Sequence, residues 1–260
     1  MSEPLIAPDR LARLQTWLRD HEVDAWLAYD FHQLNPIFGE VFGQDRFSTR
    51  RAFVLVPADG EPEALLHFVD QGCFPADRKR SLYRDRHSMT ELLRDRLRGL
   101  RRVAMEYSPG GELPTIAYVD AGTIELIRGL GPEVVSSADL YQAAFGTWSA
   151  EQLASHERAA DGLVRVVGET FAYIGDRLGE VDEWAAREFI RRRFTELGLE
   201  TEHGPIVAVN VNSGNPHYEP TPESSRSIRP GDWVLIDLWA REPRGYYAGI
   251  THPGDVGVIA

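Results

Sequence analysis

The chain has 260 residues, of which 43% are hydrophobic and 26% are charged, so it can bury the core of one large domain or two ordinary ones. Its formal net charge of −12 excludes the basic surface that nucleic acids require and suits a cytoplasmic protein. The single cysteine, Cys73, excludes an intrachain disulfide and a thiolate metal site. We expect no signal peptide, because the N-terminus lacks a basic segment followed by an apolar one, and no transmembrane helix, because no apolar run reaches about 18 residues.

The first 147 residues alternate between helical and strand-like patterns. Leu11, Leu14 and Leu18 share one helical face and predict a helix over 9–21, with Asp9 as its cap. Apolar runs predict strands at 25–29, 52–56, 64–69, 103–106 and 134–135, and helices at 91–100 and 123–128. The turn residues at 59–62 predict a hairpin between the second and third strands. This order is typical of a compact α/β domain, and we place its end near 145–148.

A second domain is predicted over 148–260. Ser149 and Gln152 have the spacing of a capping box and open a long helix, which a second helix follows over 182–197. Strands are predicted at 206–211 and 233–239. The 20 residues between these strands are rich in Gly, Pro, Ser and Asn, and a loop of that length is usually functional or disordered.

Two polar residues in this second half are candidates for chemistry. Asp237 lies in the middle of an apolar strand, where an ionised carboxylate is costly unless it is paired or binds a metal. By itself it fits a structural aspartate, turned outward or salt-bridged, as well as a ligand. His217 lies in the preceding loop, and a lone loop histidine is more typical of ordinary surface.

Several segments, taken in order, resemble the creatinase, aminopeptidase P and prolidase family, whose catalytic domain has the pita-bread fold. In the second half these are the helix pair, the Asn215-Pro216-His217-Tyr218 loop and the Leu235-Ile236-Asp237 strand. In the first half they are 27–31 with 35–36, 103–109, 119–123 and 136–140, which resemble the N-terminal domain of bacterial Xaa-Pro peptidase-like members. The resemblance predicts an N-terminal creatinase-like α/β domain over 1–147 and the first half of a pita-bread α+β domain over 148–260.

The resemblance implies a two-metal hydrolase. In the family, two aspartates, a histidine and two glutamates hold two divalent ions, usually manganese or cobalt, which polarise the scissile carbonyl and activate water. By position, Asp237 matches the first aspartate ligand. His217 matches a histidine that contacts substrate and stabilises the tetrahedral intermediate, and Thr251 matches the threonine just beyond the second aspartate.

The sequence departs from the family at the second aspartate. The family pattern is Tyr-Ala-Asp-Ile-Thr, and here Gly249 stands in the aspartate position. Asp255 could substitute only if the chain turned back. The remaining histidine and glutamate ligands have no counterparts, so we expect a C-terminally truncated or frame-shifted member that does not retain both ions.

Three functions follow as expectations. The first is an Xaa-Pro aminopeptidase- or dipeptidase-like enzyme, acting on short proline-containing peptides, that is inactive as this chain. The second is a non-catalytic peptide-binding module or degraded fragment, and the third is a metal-free amidinohydrolase like creatinase, which Gly249 favours. Because strand 233–239 would lack partners, we also expect a homo-oligomer.

Overall fold

The structure is a computed structural model that describes residues 6–42, 47–74 and 79–256. The chain forms two compact units, Met1–Thr147 and Trp148–Ala260. Among the described residues, no helix combines the length and the hydrophobicity needed to cross a membrane.

The first unit is a six-stranded mixed sheet with helices on both faces. The strands are β1 (Ala25–Asp30), β2 (Ala52–Pro57), β3 (Glu63–His67), β4 (Arg80–Tyr83), β5 (Arg102–Met105) and β6 (Glu133–Ser136), in the order β4-β3-β2-β1-β5-β6. The helices are α1 (Pro8–Asp20), α2 (Pro36–Phe42), α3 (Arg86–Arg96), α4 (Ala121–Gly129) and α5 (Ala138–Phe145). β1, β2 and β3 form antiparallel pairs, which confirms the predicted hairpin, whereas β5 and β6 pair in parallel.

Strand β1 separates two hydrophobic cores. All six of its residues are buried. Trp26 and Ala28 join the core beneath α1, α2 and α5, while Leu27 and Tyr29 join the core beneath α3 and α4. Burial on both faces explains why this strand is continuously apolar in the sequence.

A buried carboxylate at the centre of this sheet accepts hydrogen bonds from several neighbouring segments. Glu106 is fully buried and accepts hydrogen bonds from Trp26 Nε1 at 2.5 Å and from Ser137 Oγ at 3.2 Å. It also accepts from the backbone N of Tyr29 at 3.1 Å and from Asn35 Nδ2 at 3.0 Å. Burial raises the pKa of Glu106 to about 7, although the hydrogen bonds from Trp26, Tyr29 and Ser137 act in the opposite direction.

The second unit packs two helices against one face of a three-stranded antiparallel sheet. Its elements are α6 (Ala150–Gly175), α7 (Glu183–Glu196), β7 (Ile206–Val209), β8 (Trp233–Ala240) and β9 (Ala248–Asp255), with strand order β7-β8-β9. The predicted capping box is confirmed, because Ser149 Oγ accepts from Gln152 N at 3.2 Å and Gln152 Oε1 accepts from Ser149 N at 2.6 Å. Leu163 and Ile174 of α6 are fully buried in the core, as their spacing predicts.

Some local predictions were wrong. The cap of α1 is Ala7, which makes no side-chain hydrogen bond, and Asp9 lies inside the first turn. Helix α3 begins at Arg86 rather than at residue 91, because Asp85 and Ser88 form a capping box. β7 ends at Val209, since the next residue, Asn210, adopts a left-handed conformation with φ of 50°. Four elements were not predicted, namely α2, α5, β4 and β9.

Candidate functional site

Strand β8 has two chemically different faces. Every second residue is buried against the helices, namely Val234, Ile236, Leu238 and Ala240. The intervening residues Leu235, Asp237 and Trp239 are only partly buried, and Trp233 is exposed. This period-two alternation puts Asp237 on the face of the sheet that the helices do not cover.

Asp237 has one side-chain partner on this open face. It lies directly opposite Thr251 of β9, and Thr251 Oγ1 donates a hydrogen bond to Asp237 Oδ1 at 2.7 Å. No salt bridge to Asp237 occurs within the described part of the chain. The carboxylate therefore points out of the hydrophobic core and keeps oxygen lone pairs available to water or a ligand.

Gly249 lies beside this pair. It is paired with Trp239 in the β8–β9 register, so it is two residues from Thr251 and on the same face as Asp237. A Cβ placed on Gly249 would meet Trp239 Cβ at 3.8 Å, which is an ordinary contact. The backbone there accepts a side chain, yet glycine offers no ligand atom at the position where the resemblance expects a carboxylate.

The other polar residues nearby do not complete the set. His252 is paired with Ile236 on the helix side of the sheet, where its ring contacts Phe171 with centroids 5.6 Å apart. Asp255 continues β9 opposite Trp233, so the chain does not turn back toward Asp237 at this point. Across residues 6–42, 47–74 and 79–256, no group of three or more His, Cys, Asp and Glu side chains could hold a metal ion. The donors present do not fit a dinuclear centre.

His217 lies in the long loop between β7 and β8. Its side chain is exposed, and its backbone N donates to Asn215 Oδ1 at 3.0 Å. No hydrogen bond joins His217 to Asp237 among the described residues. The two predicted site residues thus lie on different elements, Asp237 on the open face of β8 and His217 in a surface loop.

A buried acid that no sequence pattern indicated holds this loop through hydrogen bonds. Glu183, the first residue of α7, has a fully buried side chain and accepts a hydrogen bond from Tyr218 Oη at 2.5 Å. Burial and this carboxylate raise the pKa of Tyr218 to about 12. Glu183 and Tyr218 are 35 residues apart, so no local pattern could have revealed the contact.

The chain was compared with known families and solved structures. Residues 154–257 match metallopeptidase family M24. The fold matches the dipeptidase from Pyrococcus horikoshii OT3 at 23% identity and a TM-score of 0.60, covering 95% of this chain and 65% of that one. The dipeptidase PepE from Mycobacterium ulcerans matches at 16% identity and a TM-score of 0.69, covering 95% of this chain and 63% of that one. The prolidase from Thermococcus sibiricus matches at 17% identity and a TM-score of 0.60, covering 100% of this chain and 67% of that one.

These matches identify the fold. An α/β unit followed by part of a pita-bread unit is the architecture that the sequence predicted, and that fold class is confirmed. Residues 154–257 match the model of metallopeptidase family M24, in agreement with the resemblance to the creatinase, aminopeptidase P and prolidase group. It spans less than two thirds of the length of the two dipeptidases. No curated protein matches the sequence.

Proposed function

We propose that this chain is an Xaa-Pro peptidase-like member of family M24 that recognises short proline-containing peptides but does not by itself hold two catalytic metal ions. One observation carries the second part of the proposal. Gly249 occupies the strand position that shares a face with Asp237 and Thr251, so one carboxylate stands where two would be needed to bridge a pair of ions.

The coordination chemistry supports this proposal. Divalent ions such as manganese favour several hard oxygen or imidazole ligands, and dinuclear hydrolases hold their ions about 3.5–4 Å apart. Asp237 contributes one carboxylate and Thr251 a hydroxyl that is already donating to it. Since neither residue can replace the hydration shells of two ions, we expect no metal-activated water on this chain alone.

Metal content and peptidase activity provide the test. The purified chain is dialysed against Mn²⁺ or Co²⁺, its metal content is measured by mass spectrometry, and hydrolysis of alanyl-proline is assayed in added Mn²⁺. We expect well below one tightly bound ion per chain and no hydrolysis above the metal-only control. Two tightly bound ions together with proline-dependent hydrolysis would overturn the proposal.

A non-catalytic peptide-binding role is the second candidate function. The open face of β8 presents Leu235 and Trp239 beside the polar Asp237–Thr251 pair. An apolar surface with a few polar groups is the chemistry that small-ligand sites share. Saturable binding of alanyl-proline in calorimetry, without hydrolysis, would support this role.

The third candidate is a metal-free amidinohydrolase like creatinase. The absence of a carboxylate at Gly249 favours it, because that chemistry needs no metal-ligating aspartates. Production of urea from creatine by the purified chain would support it, and no turnover would remove it from consideration.

We further propose that the chain self-associates in the cytoplasm. Trp233 is 42% exposed at the start of β8. The expectation that strand 233–239 would lack partners was wrong, because β8 is paired with both β7 and β9. The edges of this sheet among the described residues are β7 and β9. A strand edge beside an exposed aromatic side chain favours association with another chain.

A further inference from the structure

Glu183 holds the loop that carries His217. It begins α7, where the partial positive charge of the helix N-terminus favours an anion, and its side chain is fully buried. We infer that Glu183 is a positioning residue, whose buried carboxylate fixes the loop over residues 210–226 and thereby places His217. This inference rests on the proposed function, with His217 taken as the substrate-contacting histidine that the sequence resemblance implies.

The carboxylate gathers donors from both ends and the middle of the loop. Oε1 accepts from Val209 N at 2.6 Å and from Asn212 Nδ2 at 2.9 Å. Oε2 accepts from Tyr218 Oη at 2.5 Å and from Arg226 N at 2.9 Å. Four separate donors therefore converge on one side chain.

The first turn of α7 also binds the loop through its backbone. Glu183 N donates to Arg226 O at 3.1 Å, and Trp184 N donates to Ser225 Oγ at 2.8 Å. Helix N-termini leave their first amides without intrahelical partners, so the loop satisfies amides that would otherwise lack acceptors. The helix and the loop depend on each other for hydrogen bonding.

No cation forms a salt bridge with Glu183 in the described part of the structure. The donors to its side chain here are neutral groups, namely backbone amides, the Asn212 side chain and the Tyr218 hydroxyl. Removing one partner of such a set leaves the others buried without partners, which is more costly than the net value of a single hydrogen bond. In Glu183→Gln, an NH2 group would replace one of the two accepting oxygens. That donor would face other hydrogen-bond donors and leave them without an acceptor.

The consequence for His217 follows from its neighbours. It directly precedes Tyr218, and its backbone N donates to Asn215 Oδ1 at 3.0 Å. The hydrogen bond from Tyr218 to Glu183 therefore anchors the chain one residue after His217. A histidine that contacts substrate must be held in place to contribute binding energy, and Glu183 supplies that support from beneath the loop.

Hydrogen exchange measured by mass spectrometry tests the inference without any ligand. In Glu183→Gln we expect amides of 210–226 to exchange about tenfold faster, as the loss of about 1.4 kcal/mol of loop hydrogen bonding requires. Amides of α6 and β8 should be unchanged. Asp182→Asn is the matched control, because Asp182 caps the same helix through Ala185 N at 2.7 Å without making a side-chain bond to the loop.

Tyr218→Phe provides a second variant that leaves α7 untouched, and it should accelerate exchange around 215–222. Unchanged loop exchange in both Glu183→Gln and Tyr218→Phe would overturn the inference. The same exchange pattern in Glu183→Gln and Asp182→Asn would also overturn the inference, because faster exchange would then result from any change at the N-terminus of α7.

Binding of alanyl-proline separates this inference from the proposed function. If the wild-type chain binds the dipeptide, Glu183→Gln and Tyr218→Phe should weaken binding about tenfold while Asp182→Asn retains it. Equal binding by all variants would contradict the positioning role. If the wild-type chain does not bind, the peptide-recognition proposal fails, and the exchange result still decides whether Glu183 holds the loop.

Discussion

Thr251 and Asp237 face each other across β8 and β9, and the threonine hydroxyl donates a hydrogen bond to the carboxylate at 2.7 Å. Both residues lie within 154–257, the segment that matches metallopeptidase family M24, and Asp237 is the metal ligand that the sequence resemblance predicts. On this open sheet face the Asp237 carboxylate accepts from a neutral donor. The pair therefore links β8 to β9 by a side-chain hydrogen bond and includes one of the proposed site residues.

Replacing Gly249 by aspartate should restore metal binding to this face. The added carboxylate would lie diagonally across from Asp237, and the backbone has room for it. We expect Mn²⁺ at millimolar concentration to raise the melting temperature of Gly249→Asp by a few degrees and to leave the wild-type chain unchanged, since a ligand stabilises only the state that binds it. Differential scanning fluorimetry provides the measurement. Gly249→Asn is the control of equal shape without charge, and an equal response from all three chains would count against the assignment.

The stability of the first unit should fall as pH rises from 4.5 to about 7. Burial raises the pKa of Glu106 from its ordinary 4.5 to about 7, so the folded unit binds the proton more tightly than the unfolded chain. The associated stability is fully present below pH 4.5 and is lost as pH rises through the folded-state pKa, and it amounts to roughly 3 kcal/mol. Urea unfolding followed by Trp26 fluorescence across this range measures it.

Glu106→Gln is the matching variant for that experiment. It cannot titrate, so its unfolding free energy should lack this pH-dependent component. It should also be less stable at every pH, because an amide nitrogen would replace an oxygen that accepts from Tyr29 N and Asn35 Nδ2. The same pH slope in both proteins would show that another group is responsible.

Ser149→Ala should destabilise the second unit by about 1 kcal/mol, the usual cost of removing a helix cap. The serine oxygen is the acceptor for Gln152 N at the start of α6, and alanine has no acceptor. Chemical denaturation of the second unit provides the measurement. Ser149→Asp retains a capping oxygen and should stay close to wild type; a loss equal to that of alanine would indicate that capping is not the cause.

Trp233→Ser should shift the chain toward monomer in sedimentation velocity experiments. Trp233 is 42% exposed beside the edge of a three-stranded sheet, and removing its apolar surface weakens association through that face. Trp148→Ser is the control, since Trp148 is similarly exposed at 44% but packs on His156 and Tyr246. A purely monomeric wild-type chain, or an equal shift in both variants, would contradict self-association through this sheet.

Local patterns were sufficient where one physical signal dominated. The i, i+3, i+4 spacing of apolar residues located α6 and α7, and the Ser149–Gln152 capping box fixed where α6 begins. Strand β9 was missed because its sequence, Ala-Gly-Ile-Thr-His-Pro-Gly-Asp, contains two glycines and a proline, which are typical of loops. Its eight-residue register with β8 supplies the pairing that the local sequence does not favour. Proline is tolerated there because β9 is an edge strand.

The amino-acid sequence by itself determined the resemblance to the creatinase, aminopeptidase P and prolidase family, the apolar strand that carries Asp237, and the glycine at position 249. These properties depend on residue identity and short spacing, which are readable along the chain. Only the tertiary structure decided that Asp237 points away from the core toward Thr251. It also decided that Glu183 accepts hydrogen bonds from donors that lie 26 to 43 residues away in the sequence. The physical reason is that a carboxylate's environment is set by the groups folding brings to it, and those groups have no fixed spacing in sequence.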